Sequence, residues 1–128
     1  MQFRSTSDRN KNLRRSVEVA KIANDAGFIV IAAFVAPDEQ SRQKAAELVG
    51  TERFLTIHLS APIEICRTRD ERGQYAKADA GELGNFPGVS APYEAPLQAD
   101  LVLPTDELPV SRCVDAIIEL LETKGVLG

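Results

Sequence analysis

Apolar positions along the chain switch between two periods. In "DRNKNLRRSVEVAKIANDA" (8–26) Leu13, Val17 and Ala20 fall at helical spacing, with Val19, Ile22 and Ala26 beside them, which predicts a helix. Ser7 or Asp8 caps its start, and Gly27 suits a left-handed stop. "FIVIAAFVA" (28–36) is continuously apolar and rich in branched residues, the pattern of a strand buried on both faces of a parallel sheet. Pro37 ends it. "DEQSRQKAAELV" (38–49) reads as a second helix, acidic at its start as the helix dipole prefers, and Gly50 stops it. "RFLTIHLS" (53–60) reads as a second strand, with Leu55, Ile57 and Leu59 facing one way and Thr56 and His58 the other. Pro62 then opens a short helix through Ile63 and Cys66 to about Arg69.

The stretch 70–98 is polar and broken, with a short helix expected around Tyr75–Ala80 and a long loop after it. "ADLVLP" (99–104) predicts a third strand. Pro109 opens a last helix in which Val110, Val114, Ile117 and Leu121 form a stripe, ended by Gly125. Alternating helices and strands give an α/β fold, a parallel sheet with helices on its faces. Three strands make a small sheet, and the pattern opens on a helix with no strand before it. The expectation is therefore a sheet that is incomplete within these residues.

Composition narrows the chemistry. The 128 residues are 44% hydrophobic and 27% charged, ordinary values for a globular domain. A net charge of −4 supplies no broad basic surface, so nucleic-acid binding is not expected. No apolar run approaches the roughly 20 residues of a membrane span. The basic N-terminus lacks the apolar core of a signal peptide. The two cysteines, Cys66 and Cys113, match neither a metal spacing nor a disulfide framework, and packed free thiols in a reducing cytoplasm are expected. His58 is the only histidine, which argues against zinc and against a Ser-His-Asp centre.

Ligands of open α/β sheets bind beyond the carboxyl ends of the strands. "GELGNFPGVSAPYEAP" (81–96) leads into the last predicted strand and can fold over that edge. It spends three of eight glycines, three of seven prolines and two of seven aromatic residues on a segment that can be neither helix nor strand. Phe86 and Tyr93 are thus either the faces of a lid over a flat ligand or anchors tucked into the core. Arg9, Asn12 and Arg15 share the N-terminal part of the first helix, where guanidinium and amide groups suit an anion; a solvated basic patch is the alternative. No phosphate-binding G-x-x-x-x-G-K-S/T loop is present; "GTERFLT" (50–56) does not match, and "GELGNFPG" is no G-x-G-x-x-G.

Four stretches resemble the adenylyl-sulfate kinase family. "DRNKNLRRSVEVAKIANDAGFIVIAAFVAP" (8–37) is similar to the family's Asp-Arg…Asn-Ile-Arg-Arg helix and the strand after it. "APIEICRTRDERGQY" (61–75) is similar to its Thr-Pro-Leu-Glu-Val-Cys…Arg-Asp-x-x-Gly-Leu-Tyr segment. "AKADAGELGNFPGVSAPYEAP" (76–96) is similar to its Lys-Ala-Arg-x-Gly-Glu…Phe-x-Gly…Pro-Tyr-Glu-x-Pro lid, a long and rare signature. "LVLPTDELPVSRCVDAIIELL" (101–121) is similar to its closing strand and helix.

The resemblance implies a P-loop kinase-like fold whose first strand, P-loop and second strand are absent from this chain, making residues 1–128 a partial domain that folds poorly alone. It implies ATP-dependent phosphorylation of the 3′-hydroxyl of adenosine 5′-phosphosulfate in a cytoplasmic enzyme of sulfate assimilation, with ATP and Mg2+ as donor. By that resemblance Arg9 and Asn12 hold adenylyl sulfate, Phe86 stacks on its adenine and Lys77 lies near its phosphosulfate. Phe3 supplies the opposite stacking face, although one extra residue separates it here from the Asp8–Arg9 pair. Arg69 and Thr105 match positions near the ATP adenine. No catalytic or metal-binding residue is expected in this chain. A homodimer or a fusion with a sulfurylase is the implied assembly. Two departures stand out: Asp79 replaces a lid arginine, and "FVAPDEQSRQ" replaces a more basic segment while keeping Arg42. A non-catalytic regulatory domain that binds the nucleotide, or a stand-alone subunit, are the alternative readings.

Overall fold

The computed structural model describes residues 6–127. Phe3 lies outside them. The chain divides into two compact units, residues 6–54 with 72–97, and residues 55–71 with 98–127.

The first unit is built on two helices. Helix α1 spans Thr6–Asp25 and α2 spans Glu39–Val49. Val17 on α1 meets Ala45 and Val49 on α2, each 7–9% exposed, with Leu13 and Phe54 packed against them. Leu13 and Val17 are four apart, as are Ala45 and Val49, so each helix presents one stripe to the other. Asp38 caps α2: its carboxylate accepts from the Ser41 amide at 2.8 Å and the Ser41 hydroxyl at 2.7 Å. Gly50 ends α2 with φ +111°, a conformation glycine adopts without strain. Its amide returns to the Ala46 carbonyl at 2.9 Å. A single turn of 3₁₀ helix, Thr51–Arg53, follows. There Arg53 donates to Asp25 at 2.7 Å, to Asn24 at 3.0 Å and to the Val49 carbonyl at 2.6 Å, tying the ends of both helices together. The Arg53 hydrogen bond holds the Asp25 carboxyl below the usual carboxylate range. After Glu71 the chain returns to this unit as a short helix, α4 (Gln74–Asp79; its predecessor α3 lies in the second unit), followed by the long loop.

The second unit holds the sheet. Strand β1 (Ile57–Ser60) pairs in parallel with β2 (Leu101–Pro104), with Ile57 opposite Leu101 and Ser60 opposite Pro104. The ladder is extended at both ends: Thr56 and Asp100 exchange bonds of 2.7 and 2.8 Å, and the Thr105 amide reaches the Ser60 carbonyl at 2.9 Å. Helix α3 (Ile63–Thr68) follows β1, and α5 (Val110–Thr123) packs on β2, whose Leu103 is only 2% exposed. Cys66 and Cys113 are half-buried free thiols. No helix among the described residues is long and apolar enough to cross a membrane.

Three expectations need correction. The predicted strand 28–36 forms no ladder among the described residues, so the sheet has two strands rather than three. Ile31 is 92% exposed, Phe28 66% and Val35 61%. A run that is apolar on both faces becomes a strand only where neighbours cover both, and no such neighbours are supplied here. Each of its large side chains left in water forgoes about 1.5–3 kcal/mol of burial. Second, β1 starts at Ile57 rather than at 53, because the Gly50 carbonyl captures the Arg53 amide and winds that stretch into the 3₁₀ turn. Third, the expected alternation is absent: Leu55, Thr56, Ile57 and His58 are all half-buried, while Leu59 is 62% exposed. With one paired neighbour, β1 has no second covered face to receive Leu59.

Replacing Ile31 with lysine is expected to change the stability of the isolated chain by less than about 0.5 kcal/mol, as at exposed sites generally, and to reduce binding of an apolar dye. Urea titration followed by circular dichroism checks this; a loss above about 2 kcal/mol shows the run to be buried in solution. A second expectation concerns Asp38. Partial burial pushes its carboxyl up, but the two bonds from Ser41 outweigh that and hold it below the usual range. Its contribution is therefore complete at neutral pH and is lost as pH falls through the lowered value, below about pH 4. Asp38→Ala should cost about 1 kcal/mol at pH 7 and clearly less at pH 3. An equal loss at both pH values contradicts the assignment.

Candidate functional site

The first unit holds an open cavity of about 450 Å³, within the range of about 300–1,000 Å³ typical of small-molecule sites. Its floor is the N-terminal part of α1, where Arg9, Asn12 and Leu13 face it. Arg9 and Leu13 are one helical turn apart, and Asn12 sits beside them. One wall is the end of the extended apolar run, Phe34 to Pro37. The other is Gln74 with the loop residues Glu82 to Pro87. Arg9 is the one cation and Glu82 the one carboxylate among the lining residues.

The loop is shaped by its own hydrogen bonds. It leaves α4 where the Glu82 amide reaches back to the Lys77 carbonyl at 2.9 Å, with Gly81 at φ +78° making the turn. The Phe86 carbonyl then accepts from the amides of Val89, Ser90 and Ala91 at 2.9–3.1 Å. The Phe86 amide donates to the Ser90 hydroxyl at 2.9 Å, and the Gly88 amide to the Ala91 carbonyl at 2.8 Å. This knot fixes the backbone on either side of the Phe86 ring. The ring itself meets Tyr75 edge to face, centroids 5.0 Å apart and planes at 73°. Such a pair contributes about 0.5–1.5 kcal/mol beyond burial. Phe86 is therefore both an anchor and a cavity wall, whereas Tyr93 is 43% exposed and lines no part of the cavity.

Arg9 joins helix to loop: its guanidinium donates to the Asn85 carbonyl, 76 positions along the chain. Asn85 has φ +53°, a left-handed conformation that asparagine tolerates better than most residues. The loop's exit is held by Arg42. This side chain donates to the Ala36 and Glu94 carbonyls and pairs with the Glu39 carboxylate at 2.6 Å, while the Glu94 amide reaches the Pro37 carbonyl at 2.7 Å. The Arg42 bond holds the Glu39 carboxyl below its usual range.

Of the residues singled out from sequence, Arg9, Asn12 and Phe86 line this one cavity. Lys77, in the last turn of α4, and Arg15, exposed on α1, do not line it. Arg69 and Thr105 belong to the second unit, where the Arg69 guanidinium donates to the Thr105 carbonyl at 3.0 Å. Phe3 lies outside the described residues. Sequence reasoning did not find Phe34, Gln74 and Asn85 as lining groups; only Asn85, flanked by Gly84 and Phe86, carried a local signal, its tolerance of positive φ. No group of three or more His, Cys, Asp or Glu side chains able to hold a metal occurs among the described residues.

A family model for adenylylsulphate kinase matches residues 2–104. The chain is 49% identical over 123 residues to the bifunctional enzyme CysN/CysC of Rhodopirellula baltica, covering 96% of this chain and 19% of that protein. It is 46% identical to the adenylyl-sulfate kinase of Paraburkholderia xenovorans, covering 92% of this chain and 65% of that one. It therefore spans less than two thirds of these curated relatives. Among solved structures it matches the Mycobacterium tuberculosis APS kinase CysC in complex with AMPPNP and APS, with a TM-score of 0.86 and 33% identity over 94% of this chain and 70% of the other. The parallel sheet with flanking helices is the α/β fold of those kinases. On this combined match of sequence and fold, the chain belongs to the adenylylsulphate kinase family.

Proposed function

We propose that this chain provides the acceptor side of an adenylyl-sulfate kinase, the enzyme that moves the γ-phosphoryl group of ATP to the 3′-hydroxyl of adenosine 5′-phosphosulfate. The observation that carries the reading is the convergence of Arg9, Asn12 and Phe86 on one cavity of nucleotide-like size, although helix and loop are 76 positions apart. In this reading the ring of Phe86, fixed by Tyr75 and by the backbone knot, stacks on the adenine. Arg9 keeps one bond to the loop and turns its remaining donors to the phosphosulfate, where a planar guanidinium suits an oxyanion. The Asn12 amide adds a neutral donor beside it. Lys77 contributes long-range positive potential rather than a contact. Arg69 and Thr105 serve the ATP side. One solved structure and one sequence relative supply context: the mycobacterial structure was obtained with AMPPNP and APS. The bifunctional relative joins a kinase-like segment to a further activity, which supports a fusion with a sulfurylase as this chain's assembly.

Phosphoryl transfer depends on positioning and on neutralising charge around the transferred group. The 128 residues contain no G-x-x-x-x-G-K-S/T loop, so the groups that bind the donor triphosphate are not assigned to this chain. What it supplies is recognition of the acceptor and closure over it.

Calorimetry with the 128-residue chain tests this. Adenylyl sulfate should bind, and Phe86→Ala should weaken it about 5- to 150-fold, the range of about 1–3 kcal/mol measured for base stacking on an aromatic side chain. Unchanged affinity in a variant with native circular dichroism removes Phe86 from the site. ATP should show no measurable binding to this chain, and tight magnesium-dependent ATP binding contradicts the division of labour. A further outcome concerns Asp79, an exposed acid at the end of α4. Asp79→Arg should tighten adenylyl sulfate about two- to fivefold, the scale of a screened surface charge; weaker binding shows that Asp79 does not act through repulsion.

A further inference from the structure

Arg42 does not line the cavity, yet it bonds one of its walls, at Ala36, and the limb by which the loop leaves it, at Glu94. Its side chain is 11% exposed and its partner Glu39 is 20% exposed, so this is a half-sequestered ion pair rather than a solvated one. Glu39 accepts from the guanidinium at 3.2 and 2.6 Å and so fixes its plane. With its plane set, the fork reaches two main-chain carbonyls. One is Ala36, a wall residue of the cavity and the last residue of the apolar run. The other is Glu94, on the limb by which the loop leaves the cavity, 52 positions away. Ala36 has φ +39°, a left-handed conformation unusual for alanine that needs outside support. The Glu94 amide completes the bracket on the Pro37 carbonyl at 2.7 Å.

We propose that Arg42 is a positioning residue that fastens the exit limb of the loop to the wall at Ala36, and so sets the height at which Phe86 stands over the cavity. The entry side of the loop already has a tether in the bond from Arg9 to Asn85. Arg9 faces the ligand cavity, so its donors are shared between the loop and an entering anion. Arg42 does not line the cavity, and the bonds it makes end on protein groups, the Ala36 and Glu94 carbonyls and the Glu39 carboxylate. A planar fork is required, because the two carbonyls and the carboxylate lie in different directions from one side chain, and a lysine offers a single ammonium. The consequence for affinity rests on the reading of the cavity as an adenylyl-sulfate site; the consequence for loop order does not.

Hydrogen exchange read by mass spectrometry on the full 128-residue chain, paired with adenylyl sulfate calorimetry, separates these. In R42M, amides of 88–97 should exchange about tenfold faster while those of α1 stay within about twofold, since charge-assisted bonds to two carbonyls are lost locally. Adenylyl sulfate Kd should rise about tenfold. R42K, which keeps the charge, should loosen the same segment and serves as the decisive variant if R42M fails to fold. In E39Q the amide oxygen still accepts from the guanidinium and sets its plane, so both carbonyl bonds remain and loop exchange should change less than about threefold. The proposal is overturned if loop exchange is unchanged in both Arg42 variants. It also falls if α1 loosens as much as the loop, if E39Q matches R42M, or if the loop loosens while Kd stays the same. A wild-type chain that fails to bind adenylyl sulfate overturns the functional reading alone, and the exchange data then decide the role of Arg42.

Discussion

The stripe of α1 that runs through Arg9, Leu13 and Val17 is the constraint on which the first unit depends. Its inner part is apolar and packs against Ala45 and Val49 of α2. One turn further out the same stripe becomes polar and faces the cavity through Arg9. Leu13 belongs to both, touching the helix seam and lining the cavity. Core and site are thus two ends of one helical face, and whatever rotates α1 against α2 also turns Arg9 and Asn12 relative to the loop. Helix faces are set to within a fraction of a turn by such interdigitation, which is why a ligand-facing arginine is better placed here than on a loop.

The loop shows a different route to rigidity. With no regular element, residues 81–97 are ordered by a Gly81 turn, a three-donor knot on the Phe86 carbonyl, and arginine tethers at each side. Both tethers end on main-chain carbonyls. The tethers therefore make no demand on the identity of the loop side chains at their acceptors, while the arginines themselves are poorly replaced, since the planar fork gives them their reach.

How much of this was legible follows from how local each signal is. Helices α1, α2 and α5 were readable because periodicity and terminal glycines lie within or beside the segment they define; the cap expected at Ser7 or Asp8 was not, since α1 begins at Thr6 and takes both residues into its first turn. The convergence of Arg9, Asn12 and Phe86 was readable from the family's lid and helix motifs, whose spacing is preserved. Arg42 was visible only as a matching residue, because its acceptors are backbone atoms 6 and 52 positions away and carbonyls carry no sequence signature. Phe34 was read as sheet interior and stands instead on a cavity wall. The motif places Lys77 near the ligand, but Lys77, in the last turn of α4, is not among the residues that line the cavity.

The run 28–36 is the instructive failure. Its composition states what the segment needs, which is cover on both faces, and says nothing about where that cover comes from. Left without it, Ile31 and Val35 stand in water and the segment's far end is held by the bracket at Ala36, Pro37 and Glu94. Yet that far end is a wall of the cavity. Any surface that covers residues 28–35 therefore acts on the site as well, because it removes the freedom of a backbone whose last residues, Phe34 to Pro37, face the ligand space. Stability of the run and order of the site are coupled through a few residues of chain, and Arg42 sits at the joint between them.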